Sequence, residues 1–344
     1  MKKGFYMIIS FSLIFILMAF QFLYVPDKID FNPPKNWPKP HYNFKLNSLT
    51  DEKFEIGKQL FYDPILSADS TISCASCHLS FTAFTHSDHS LSHGIDGKIG
   101  NRNSLSLINL AWNPYFMWDG GVNNLEVQPI NPITHKKEMN ETLQHVIYKL
   151  NKSTKYKTLF YKAYQDSIID SKRMLKSLAQ FMLQLVSSES KYDSVMRGEN
   201  NVMFTIQEQK GYELFKKKCS TCHTEPLFTN FKFENIGLSI DTALNDFGRM
   251  MISKNVSDSL KFKVPTLRNI EFSGPYFHDG RAKKLRDVLD HYSGGINKSV
   301  NVHPSLKNGI ALSSSDKVEL ITFLKTLTDK HFLYNPKFRP SKKQ

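Results

Sequence analysis

The sequence predicts an all-α chain of two related helical domains with long loops. Three observations carry this. Apolar residues recur at three- and four-residue steps, no sustained alternating pattern appears, and two stretches repeat the same landmarks in the same order.

At the N-terminus, Lys2 and Lys3 precede an apolar run from about Phe5 to Val25. Its length reaches the roughly 20 residues that cross a bilayer. Residues 1–25 therefore read as a signal peptide or an N-terminal membrane anchor with the lysines inside. Residues 26–46 hold five prolines and read as a Pro-rich linker or a strap across the surface. A first domain is expected over residues 47–200 and a second over 201–335, with the polar stretch Arg197 to Asn201 at the join and a frayed tail beyond. In the first, Met174, Leu178, Phe181, Met182 and Leu185 mark a helix. In the second, Val318, Ile321, Leu324 and Leu327 do the same. Thr205 with Glu208, and Ser313 with Asp316, have the spacing of capping boxes that open helices.

The repeat is visible on both flanks of two short motifs. Gly57-Lys58-Gln59-Leu60-Phe61 precedes the first, and Gly211-Tyr212-Glu213-Leu214-Phe215 precedes the second. After the first come Asn103 and the run from Pro114 through Met117-Trp118-Asp119 to Gly120. After the second come Asn269 and Pro275-Tyr276-Phe277-His278-Asp279-Gly280, one residue shorter.

The motifs themselves are Cys74-Ala75-Ser76-Cys77-His78 and Cys219-Ser220-Thr221-Cys222-His223. Together they contain all 4 cysteines of the 344-residue chain, which leaves none for a disulfide framework. In Cys-x-x-Cys-His, both thiols form thioethers to a haem and the histidine gives one axial nitrogen to iron. Two such motifs, in equivalent places of a repeat, predict two covalently attached haem c groups and two cytochrome-c-like domains. His78 and His223 are then the proximal ligands. The net charge of +13 is spread along the chain. With haem attachment it points away from nucleic acid, and towards a solvated surface or one that steers an acidic electron donor.

What faces the other side of each iron decides the chemistry. An iron with two strong protein ligands carries electrons, and an open one reacts with oxygen or peroxide. The first domain offers His86, His89 and His93. The second offers Met250, Met251, His278, His291 and Tyr292. Residue types alone leave both choices open.

Over about residues 50–330 the chain resembles the bacterial di-haem cytochrome c peroxidases and their MauG-type relatives. The resemblance rests on the two motifs and on Arg102-Asn103, Phe116 to Gly120, Leu125-Glu126 with Gln128, and Glu138-Met139. It rests equally on Val264-Pro265-Thr266-Leu267-Arg268-Asn269, Pro275 to Gly280, and His291-Tyr292, all in the family's order. It implies that the haem on His78 is the peroxide-reactive one, with Glu138 moving the peroxide proton and Gln128 as its pocket neighbour. Trp118 matches a tryptophan between the haems. His93 stands near a distal histidine that can ligate the first iron. Asn103, with the carbonyls of Ser273 and Pro275, matches a Ca²⁺ site, and such oxygen donors suit a hard cation. There are two departures. Tyr292 stands where many members place a methionine over the second iron, as in the MauG type, and an anionic phenolate there lowers the reduction potential. Leu105 replaces a usual proline near the calcium position.

The resemblance implies an enzyme that reduces hydrogen peroxide to water, with electrons from a small cytochrome c or cupredoxin. A MauG-like oxidase acting on aromatic residues of a partner protein is the second reading. A non-catalytic electron carrier is the third. The expected location is periplasmic, with possible attachment to the inner membrane through the N-terminus.

Overall fold

The computed structural model describes residues 26–341. The apolar run expected to act as a signal or anchor lies outside the described residues. Among the described residues, no helix is long and apolar enough to cross a membrane.

The chain is mostly helical, as the periodicity predicts. In order, the helices are α1 Asp51–Tyr62, α2 Cys74–Cys77, α3 Ile130–Thr134, α4 Leu143–Lys152, α5 Thr154–Tyr164, α6 Ser171–Leu183, α7 Lys191–Arg197, α8 Ile206–Lys218, α9 Met250–Ser253, α10 Leu285–Gly294, α11 Ser314–Lys325 and α12 Lys330–Leu333. Among the described residues the only sheet is a two-residue antiparallel ladder. It joins β1 (Phe233–Glu234) to β2 (Phe262–Lys263), with Phe233 opposite Lys263. Both expected capping boxes are present, Thr205 with Glu208 opening α8 and Ser313 with Asp316 opening α11. Each satisfies backbone N–H groups that a helix start otherwise leaves unpaired.

Two helix crossings organise the fold, and they are built alike. Helix α1 crosses α6 at Gly57, where a Cβ would lie 1.9 Å from the Ser177 carbonyl oxygen and 3.0 Å from Phe181 Cβ. Helix α8 crosses α11 at Gly211, where a Cβ would lie 2.0 Å from the Glu319 oxygen and 2.8 Å from Phe323 Cβ. Only a residue without a side chain lets backbones meet this closely. Gly57→Ala or Gly211→Ala is expected to push the helices apart and cost about 1–3 kcal/mol, the usual penalty of overpacking. Thermal denaturation checks it, and an unchanged Tm in both variants refutes the crossing as described.

The tight turns also match. A bridge joins Phe116 to Val122, with Met117 and Gly120 at φ 66° and 69° between them. A second joins Tyr276 to Ala282, with Phe277 and Gly280 at φ 69° and 67°. This register pairs Trp118 with His278 and puts the extra residue of the first run before Phe116.

Two apolar clusters form the core. One gathers α1, α6 and the segments around Phe84 and Trp112. The other gathers Tyr192, Phe215, Phe228, Leu320 and Phe323. Tyr192 joins the second cluster although it precedes the polar stretch at Arg197–Asn201. One position of the predicted stripe on α11 is corrected: Val318 is exposed, and Leu320, Phe323 and Leu324 carry the buried face.

Both ends of the described segment are docked. The proline-rich segment lies as a strap on the body. Trp37 meets Trp112 edge-on at 4.9 Å, the Trp112 indole N–H donates to Pro38 O (2.7 Å), and the Arg268 guanidinium sits 4.5 Å over the Trp37 ring. Within the described residues the tail is not frayed, contrary to the expectation. Phe332 and Phe338 are buried in the first cluster, and Tyr62 Oη donates to Phe338 O at 2.5 Å. Phe338 closes a proline-led turn whose Asn335 side chain accepts from Lys337 N.

Candidate di-haem site

The first motif occupies α2, a single helical turn. Ser73 caps it reciprocally with Ser76, and His78 N donates to Cys74 O at 3.0 Å. One turn therefore carries both thiols and delivers the imidazole directly after them. In the second motif His223 N donates to Cys219 O, also at 3.0 Å.

Both histidines are oriented the same way. His78 Nδ1 donates to the Phe84 carbonyl (2.7 Å), and His223 Nδ1 donates to the Phe228 carbonyl (3.1 Å). That bond fixes the tautomer and leaves Nε2 as the nitrogen able to ligate a metal. Burial pushes both rings down to about 4, so both are neutral, the form a ligand needs. The four thiols are free. Burial raises Cys74 and Cys219 to about 12 and Cys77 to about 11, and raises Cys222 as well. Among the described residues, no three His, Cys, Asp or Glu side chains converge to hold a bare metal ion. Paired thiols beside a neutral, preoriented imidazole fit a thioether-bound haem at each motif.

The second motif opens into an apolar cleft. Its walls include Cys219, Cys222, His223, Phe262, Lys263 and Tyr292 from the second half and Asn103, Leu105 and Trp118 from the first. Tyr292 thus shares the cleft with His223. Burial pushes its phenol up, and the neighbouring Cys219 and Cys222 act in the same direction. Met250 and Met251 do not line the cleft, and Met251 is exposed. His278 lines it, but its ring is stacked on Phe262 at 3.7 Å. His291 is turned away, with Nε2 donating to Ile236 O at 2.9 Å.

Trp118 is buried where the halves meet. Its indole N–H donates to Asn103 O (2.8 Å), and Asn103 N donates to His278 O (2.7 Å). The Trp118 and His278 rings, counterparts in the two turns, meet at 6.5 Å. Arg102 fastens the same region. It donates twice to Asp246 (2.6 and 2.8 Å) and once to Asp119 (2.6 Å), and it holds the Asp246 carboxyl below the usual carboxylate range.

Around the first motif, Glu138 follows α3. Burial raises its carboxyl, opposed by His135, whose Nδ1 lies 3.5 Å away. Its charge reaches both Cys74 and Cys77. The loop after His93 holds it there: Ile95 N donates to Glu138 O at 2.7 Å, and a Cβ on Gly94 would lie 2.5 Å from that oxygen. Nothing in the sequence pattern marks Gly94 for this task. The His93 carbonyl accepts from Cys77 Sγ (3.4 Å), while its exposed ring stacks on His89 at 4.6 Å. Gln128 Nε2 donates to Met117 Sδ (3.6 Å), which ties it to the residue before Trp118 rather than to Glu138. The expected calcium donors Asn103, Ser273 and Pro275 line one cleft, and Asn103 Nδ2 donates to Ser90 O at 3.0 Å, turning Oδ1 the other way.

A family model described as di-haem cytochrome c peroxidase matches residues 51–201. The chain is 34% identical over 311 residues to the methylamine utilization protein MauG of Methylorubrum extorquens, covering 87% of this chain and 84% of that one. It is 33% identical over 280 residues to the cytochrome c551 peroxidase of Nitrosomonas europaea, covering 80% and 79%. A solved structure described as a MauG-like protein associated with microbial copper homeostasis superposes with a TM-score of 0.82. Identity is 28%, with 91% of this chain and 99% of that one covered.

Proposed function

Because this chain belongs to the di-haem cytochrome c peroxidase family, we propose that it reduces hydrogen peroxide to water at the first motif, with electrons entering through the second. The donor is a small cytochrome c or cupredoxin, and the expected location is the periplasm.

Two haem domains related by an internal repeat underlie this reading. The matched glycine crossings, the matched turns and the two imidazole–carbonyl bonds support it. Cys74, Cys77 and His78 hold one haem; Cys219, Cys222 and His223 hold the other. When bound, haem supplies the electrons and the Lewis acidity that break the O–O bond. The observation that carries the peroxidase reading is Glu138, a half-buried carboxyl of raised pKa whose charge reaches the thiols of the first motif. It takes a proton from one peroxide oxygen and returns it to the other, which leaves as water. Gln128 steadies Met117 beside Trp118, and Trp118, held by Asn103, is the stepping stone between the halves. His93, whose carbonyl accepts from Cys77 Sγ, is the histidine that would ligate the first iron. Asn103, Ser273 and Pro275 hold Ca²⁺ at the join, with water completing the shell. Steady-state peroxide turnover with a reduced donor cytochrome tests the function; absence of turnover by protein carrying both haems refutes it.

Tyr292 favours a second reading, a MauG-like oxidase of aromatic residues in a partner protein. The tyrosine enters the cleft of the second motif, where it would ligate as phenolate. Tyr292→Met is expected to raise the second haem's midpoint potential, measured by spectroelectrochemistry. An unchanged potential means that Tyr292 is not a ligand.

A further inference from the structure

We propose that Lys263 is the cationic partner of a propionate carboxylate of the haem attached at Cys219 and Cys222, an inference that rests on the second motif carrying a haem. Lys263 is only 6% exposed and lines the cleft above that motif. The ammonium makes one hydrogen bond, to the Tyr115 carbonyl at 3.2 Å, and no carboxylate pairs with it among the described residues. An ammonium has three donors, and burying a charge without a counter-charge is costly. Burial alone lowers this group to about 8. Arg268, the other buried Lys or Arg among the described residues, behaves differently and grips an aspartate through two bonds, as does the half-buried Arg102.

A haem propionate is a natural counter-charge for this ammonium. Thioethers at Cys219 and Cys222 fix one edge of the macrocycle, and the two propionates sit on the opposite edge. The other lysine lining the cleft, Lys218, adjoins Cys219 and so belongs to the thioether edge. Lys263 also brackets the residues that lead to Trp118. Its N–H donates to Trp118 O at 2.7 Å while Nζ reaches Tyr115 O. A propionate paired with Lys263 is thereby held against the segment proposed to conduct electrons. The positive charge favours the reduced state of that haem.

The test uses full-length protein with both haems attached, as wild type, Lys263→Met and Lys263→Arg. Wild-type haem content, checked by mass and pyridine haemochrome, tests the di-haem reading separately. In Lys263→Met, the propionate bending band in the resonance Raman spectrum is expected to shift. The midpoint potential of the second haem is expected to fall, and Lys263→Arg is expected to restore both. If Lys263→Met fails to take up haem, Lys263→Gln is measured instead. An unchanged band and potential overturns the proposal, as does a shift confined to the first haem. So does slowed electron transfer with the band unmoved, which would mean that Lys263 only positions Trp118.

Discussion

Glu138→Gln is expected to lower peroxide turnover about 100-fold or more, the range in which a positioned acid/base group contributes. The substitution keeps shape and removes the ionisable proton. It leaves the backbone bond from Ile95 N to Glu138 O in place, so the loop after His93 should stay closed. Both haem spectra should therefore match those of the wild type while kcat falls. The carboxyl is suited to the task because burial has raised it, which brings its proton affinity closer to that of the groups it must exchange with. Stopped-flow mixing with peroxide separates the step from donor binding. Full turnover in the variant would remove Glu138 from the mechanism and leave the first motif without an assigned proton carrier.

Arg268→Met is expected to destabilise the protein by about 3–5 kcal/mol, because it leaves a buried carboxylate without its partner. Arg268 is fully buried. It donates to both oxygens of Asp193 (2.9 and 2.8 Å) and through Nε to Pro226 O (2.9 Å). The guanidinium also stacks under Trp37, so the variant loosens the strap as well. Replacing both partners with apolar residues, as Arg268→Met with Asp193→Leu, should recover much of the loss. The uncompensated charge, more than the missing pair, sets the cost. Denaturant unfolding of the haem-loaded protein measures both. A loss below about 1 kcal/mol in the single variant would contradict the assignment.

The sequence made the local chemistry legible and left the long-range arrangement hidden. Cys-x-x-Cys-His names its own ligand set. The Thr205–Glu208 and Ser313–Asp316 spacings specify caps because a cap is a contact between near neighbours. Gly57 and Gly211 were visible as matching letters. Their reason, the close approach to Ser177 and Glu319, lies more than a hundred residues away in each case. The register between the two turns was not recoverable from letters, because Pro-Tyr begins both runs. Backbone dihedrals, which follow Met117 and Phe277, pair Trp118 with His278. Gly94 and Lys263 carry no signal in the sequence for a similar reason. Each acts through one carbonyl or one cleft that the chain reaches only after folding. Val318 fits an apolar stripe by spacing, yet the helix turns a neighbouring face inward.

The docked strap and tail have a consequence for how the protein folds. The strap near residue 37 waits for Arg268, and the core around α1 and Phe84 waits for Phe332 and Phe338. These partners lie far along the chain from the segments they cover, and contacts of such separation form slowly. The thiols of the first motif therefore stay reachable to haem-attaching enzymes until these long-range contacts have formed. Cutting the gene at residue 200 should yield fragments that aggregate or are degraded rather than two independent mono-haem proteins.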